Sequence, residues 1–196
     1  MKAWVAVCAL IAGGSLLAAA FPGGQETTGA QLQLLTWDRI HWTARPWTLW
    51  TAAWISSSDG SLGANLLAFA ILSALGAALG ASRAAAIALL TAWPLGTLAL
   101  PLWPQVADYA GLGEPVHAAA MVLAAVLAGR GALKPLAPLA MAAMGLKLIA
   151  ERAWLQPVAF DPSWGSNVVY AAHLTGAAAG ALCGLLARAW QRPEPG

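Results

Sequence analysis

A few side chains in this sequence could do chemistry inside otherwise apolar stretches: His173, His117, Glu114, Ser61 and Asn65. A histidine within reach of a hydroxyl activates a nucleophile. A carboxylate beside a histidine can instead hold a water for general-base hydrolysis. An amide such as that of Asn65 is the kind of donor that stabilises a developing oxyanion. Each residue also has a plainer role. His173 could hydrogen-bond a neighbouring helix, Ser61 could cap a helix N-terminus, and Glu114 at a helix start is most simply a solvated acid favoured by the helix dipole. A polar group turned into a membrane bundle is a functional candidate by default.

His173 sits in the last hydrophobic stretch, Val168 to Trp190, and is followed by Gly176, Gly180 and Gly184. A spacing of four places the three glycines on one helix face, where a second backbone can approach closely. His173 lies on or beside that face. About 20 apolar residues suffice to cross a bilayer, and this stretch is long enough.

Composition makes the rest of the chain membrane-like as well. Of 196 residues, 60% are hydrophobic and 9% charged, against roughly 25% charged in soluble domains. A net charge of +2 without a basic patch points away from nucleic acid. Cys8 and Cys183 fall in apolar stretches and read as free, packed thiols, and neither metal nor cofactor is expected. The chain predicts six spans in residues 1–190 as one domain, with 191–196 as a short cytoplasmic tail. The first twenty residues could be a cleaved signal peptide, but the apolar run is long enough to span, so an uncleaved helix is expected.

Leu62 to Ala81 follows, then Ala84 to Leu102 with Pro94 and Pro101 predicting a kink, then Pro115 to Ala128 and Leu136 to Ile149. Lys147 is placed to snorkel outward. Between the first two spans, Trp37, Trp42, Trp47, Trp50 and Trp54 predict a loop lying partly in the bilayer surface. With both termini in the cytoplasm, Lys2, Arg83, Arg130, Lys134, Arg188 and Arg192 fall inside with Glu194 as the one acid. Arg39, Arg45, Lys147 and Arg152 fall outside, with Glu26, Asp38, Asp59, Asp108, Glu114, Glu151 and Asp161. That asymmetry satisfies the positive-inside rule. It also brings His173, Asn65 and the start of the fourth span to one outer depth.

This pattern resembles the rhomboid family of intramembrane serine proteases, and within it the rhombosortase branch. The last span reads AHLTGAAAG, similar to the family's Ala-His-x-x-Gly-x-x-x-Gly. Asn65 followed by LLAF is similar to the asparagine of the second span. RPWTLWTAAWIS looks like a worn form of the Trp-Arg-Leu-x-Thr segment in the embedded loop. The resemblance covers nearly the whole chain and implies an all-α, six-transmembrane rhomboid-like bundle. It further implies a bacterial inner (plasma) membrane location and partners that are transmembrane segments of exported proteins. His173 would be the general base, Asn65 an oxyanion donor, and His117 the ring packed against the base.

The departures fall on the chemistry. Where the family has Gly-x-Ser-Gly, this chain has Gly-Leu-Gly-Glu, so Gly113 stands at the nucleophile's place and Glu114 at the next glycine's. Ser61 replaces a histidine, and Thr48 an arginine. The leading expectation is a rhomboid-like protein without ordinary protease activity that still binds client transmembrane helices. The alternative is an intramembrane peptidase with a relocated nucleophile, Ser61, and His173 as its base; Ser56, Ser57 and Ser58 are weaker candidates. A small carrier or channel is disfavoured, because no paired charges lie deep in the spans and no inverted repeat is evident.

Overall fold

A computed structural model describes residues 1–20, 33–56, 58–128, 131 and 134–191. Glu26, Ser57, Arg130, Arg192 and Glu194 lie outside the described residues, as does most of the predicted tail. Six long helices are present among the described residues: α1 (Lys2–Ala20), α2 (Asp59–Ala78), α3 (Arg83–Leu98), α4 (Gly113–Leu127), α5 (Leu136–Glu151) and α6 (Tyr170–Trp190). Among the described residues four apolar segments are long enough to cross a membrane: α1, α2, α6 and Arg83–Leu102, which is α3 with the 3₁₀ turn Leu100–Leu102. Helix α3 continues through Pro94 and gives way to that turn around Pro101. Leu67, Ile71, Leu139, Leu146, Ile149 and Leu186 are exposed on the helix exteriors. Water-soluble surfaces rarely gather so much bare apolar area, whereas acyl chains solvate it freely.

Local signals explain the helix starts. Ser58 caps α2 by accepting from the Ser61 N–H at 3.3 Å, and Ser82 caps α3 through Ala85 at 3.2 Å. The cap of α2 is therefore Ser58 and not Ser61, which falls in the first helical turn. At the opposite end of α2, the Met1 amino group donates to Ala81 O at 2.6 Å and Gln191 Nε2 to Ser82 Oγ at 2.6 Å. The start of α1 and the end of α6 thus share one end of the bundle with the α2–α3 turn.

The core lies between α3, α4 and α6. Almost every residue of α4 is buried, as expected of a helix apolar all round. At 15 residues it is about 22 Å long, shorter than a hydrocarbon core of about 30 Å. The glycine face of α6 lies against it. A Cβ on Gly176 would overlap Glu114 O, one on Gly180 would overlap Ala118 O, and one on Gly184 would meet Val122 Cα at 3.0 Å. Tryptophans fill other notches: the Trp4 indole occupies the space beside Gly76, and that of Trp54 the space beside Gly14.

Helix α5 is attached more lightly, through Leu148 against Met121 and Ala177. It ends just after Glu151, where Arg152 adopts a left-handed conformation with φ 51°. At the same end of the bundle, Trp37–Asp38 pairs antiparallel with Asp108–Tyr109. A hairpin, Ala159–Asp161 with Ser166–Val168, leads into α6. These short strands were not expected from the sequence, since two or three residues carry no readable alternation.

The tryptophan-rich segment is held to the bundle by specific bonds. Trp37 is fully buried beside Leu100, Val106 and Tyr109, while Trp47 and Trp50 are exposed. Arg45 pairs with Asp38, and Arg39 Nη1 donates to Trp103 O at 3.0 Å. Partial burial raises the Asp38 carboxyl, but the Ile40 and His41 amides and the His41 ring outweigh it and hold the group below its ordinary range. Thr48 is buried and donates to Arg45 O at 2.7 Å, a purely local bond.

Candidate active site

A cavity of about 330 Å³ opens at the end of the bundle where α2, α4 and α6 begin and α5 ends. Ser61, Asn65, Gly113, His117, Lys147 and His173 all contribute to its wall. The side chains singled out in the sequence therefore meet, with the exception of Glu114.

Two histidines form the centre. The rings of His117 and His173 stack with centroids 4.2 Å apart and planes 15° from parallel. His117 Nδ1 lies 2.6 Å from Gly113 O; a carbonyl only accepts, so Nδ1 carries the hydrogen and Nε2 keeps its lone pair. His173 Nδ1 lies 3.1 Å from both Glu151 carboxylate oxygens, which also only accept. In the neutral ring the lone pair is then on Nε2, and the Nε2–Cδ2 edge lies beside Gly113: a Cβ built there would stand 2.7 Å from Nε2 and 3.0 Å from Cδ2.

Glu151 is the residue that sequence reasoning missed. It bridges His173 and Lys147, the latter one helical turn earlier on α5. Lys147 is 44% exposed at its side chain, so it leans over the cavity rim while holding the carboxylate. The i, i+4 spacing of Lys147 and Glu151 suits a helix-surface ion pair. Nothing local marked it as the neighbour of a histidine 22 residues away.

Glu114 corrects another expectation. It is no solvated acid: it is completely buried, its carboxyl packs against Gly96 of α3, and neither oxygen has a hydrogen-bond partner among the described residues. It lines no part of the cavity and cannot hold water for either histidine. The backbone of the same residue is anchored, because its N–H donates to Tyr109 Oη at 3.1 Å while that hydroxyl donates to Gly111 O at 2.6 Å. Gly111 has φ 140°, which a side chain would strain, and so sets the turn into α4. Tyr109→Phe would leave the buried Glu114 N–H and the half-buried Gly111 carbonyl without this partner and is expected to cost about 2 kcal/mol. Thermal or denaturant unfolding in detergent reads the loss, with the partly exposed Tyr170→Phe as a smaller-effect comparison.

Ser61 lies on the cavity wall, but its hydroxyl is engaged elsewhere. It donates to Ser58 O at 2.9 Å and lies 3.2 Å from Ser56 Oγ, and no bond to a histidine is present among the described residues. Asn65 Nδ2 donates one hydrogen to Ser61 O at 2.8 Å, which leaves its second N–H available.

His117, Glu151 and His173 also place three potential metal-ligand atoms within 4.8 Å of one another. A shared ion must lie in the plane of each imidazole, close to its lone pair. Stacked, nearly parallel rings aim their lone pairs side by side rather than at one point, so one ring would have to turn out of the stack. The geometry as it stands suits proton transfer better than coordination. Comparison with known proteins finds no family model, no curated protein and no solved structure that matches this chain.

Proposed function

We propose that this chain is a rhomboid-like intramembrane protein of six spans that receives transmembrane segments of client proteins at its outer-end cavity and does not cleave them through a serine. In this reading both termini face the cytoplasm of a bacterial cell and the cavity faces outward across the inner membrane. The observation that carries it is the stack of His117 and His173 beside Gly113, with Asn65 on the same wall. The arrangement has a base, a supporting ring and an amide donor, and a bare backbone where a hydroxyl would complete a dyad. The relocated nucleophile gains no support from Ser61, whose hydroxyl is bound to its own helix start.

Photocrosslinking tests the reading. A photoreactive residue at Met144, on the cavity wall, is expected to capture a synthetic single-pass helix in nanodiscs. The same residue at Leu139, on the exposed side of α5, is expected to capture little. Equal capture at both positions would remove the case for a client site. Robust peptide cleavage that disappears in His173→Ala would remove the case for a non-cleaving protein.

A further inference from the structure

We propose that Glu151 and His173 activate a water molecule in the cavity beside Gly113, and that the cavity hydrolyses carboxylic esters with a short apolar acyl group. The proposal rests on the reading of this cavity as a site entered from the bilayer. It does not require that client helices bind there.

Three observations combine. The carboxylate of Glu151 accepts from His173 Nδ1, so in the neutral ring Nε2 holds the lone pair, the tautomer a general base needs. His173 lines the cavity, and the Nε2–Cδ2 edge of its ring lies beside Gly113, so close that an added Cβ there would stand 2.7 Å from Nε2. The His117 ring covers one face of the His173 ring, so the imidazole is held in plane and presents only its edge. The cavity lies at the small end of the range for ligand pockets, about 300 to 1,000 Å³, and has room for a water beside a small acyl group. Val116, Met144 and Val169 supply an apolar wall, and Asn65 a donor.

The reaction balances within these groups. His173 Nε2 takes a proton from water as the water oxygen bonds to the ester carbonyl carbon. The carbonyl electron pair moves onto oxygen, where the second Asn65 N–H can meet it. Collapse re-forms the carbonyl and breaks the bond to the alkoxy oxygen, which takes the proton back from Nε2. The products are a carboxylic acid and an alcohol, and His173 returns to its neutral form. Glu151 touches neither substrate nor water and is a positioning residue.

The test uses the full chain in nanodiscs with p-nitrophenyl butyrate. Saturable hydrolysis is expected, falling about 100-fold in His173→Ala. Gly113→Ala is expected to abolish most of it, because the added methyl would overlap the His173 ring and displace the base. Glu151→Gln is expected to lower kcat with KM unchanged, and Glu151→Asp to recover part of the loss. The rate should drop in D₂O, since a proton moves in the limiting step. No hydrolysis above that of His173→Ala, or full activity in Gly113→Ala, would overturn the proposal. So would a p-nitrophenol burst equal to the protein, or a rate insensitive to D₂O, since either means that a side chain attacks the ester directly. Because the probe is not a helix, failure here is separable from failure of the photocrosslinking.

Discussion

Gly113→Ser is expected to make the protein reactive toward fluorophosphonates and to raise ester turnover by about 10³-fold. The estimate follows from opposing effects. In a serine hydrolase, loss of the nucleophile costs about 10⁶ in kcat. Restoring a hydroxyl on a Cβ that stands beside a prepared base should recover much of that. The second-span histidine that the rhomboid resemblance would supply is Ser61 here, and one missing oxyanion donor costs about 10² to 10³. The difference leaves about 10³.

The substitution should also be tolerated. The new Cβ meets the edge of the His173 ring and not backbone, so movement of that side chain relieves the contact. Labelling should vanish in the double variant Gly113→Ser with His173→Ala. It should persist with Ser61→Ala, since that hydroxyl is committed to Ser58 O. A folded Gly113→Ser protein that resists the reagent would mean that Nε2 does not act as a base toward position 113.

How much of this could be read in the sequence depended on whether the information was local. Six helical stretches followed from runs of apolar residues, and the close contact of α6 with another backbone followed from Gly176, Gly180 and Gly184 at a spacing of four. The position of His173 three residues before that stripe placed it near the same contact. The partner of His173 was not legible, because Glu151 reaches it only through the packing of α5 by Leu148 against Met121 and Ala177. Glu114 was misread for the same reason. Its helix-start position suggested solvent, yet α3 and α6 both come so close there, at Gly96 and Gly176, that the residue is sealed off. Side-chain chemistry set the list of candidates, and long-range packing decided which of them meet.

That dependence on packing makes Gly180→Leu the second large effect. A Cβ at position 180 would overlap the Ala118 carbonyl oxygen and lie 2.7 Å from Ala118 Cα. Backbone inside a buried helix cannot step aside, so α4 and α6 must separate along the seam that also carries His117 and His173. Overpacking in a core costs about 1–3 kcal/mol, and here a whole isobutyl group is added against main chain, so about 3 kcal/mol or more is expected. Gly63→Leu is the control: nothing lies within 4 Å of its added Cβ, and exchanging glycine for leucine inside a helix should stabilise α2 by a few tenths to about 1 kcal/mol. The two substitutions are the same in chemistry and opposite in predicted sign. Unfolding midpoints in one detergent measure both, and reactivity of Gly113→Ser in each background reports whether the seam still aligns the site. Equal midpoints would mean that α6 does not seat its glycine face on α4. A stable Gly180→Leu protein that has lost the labelling would instead show the seam parting without unfolding, and would tie the geometry of His173 to the three glycines that follow it.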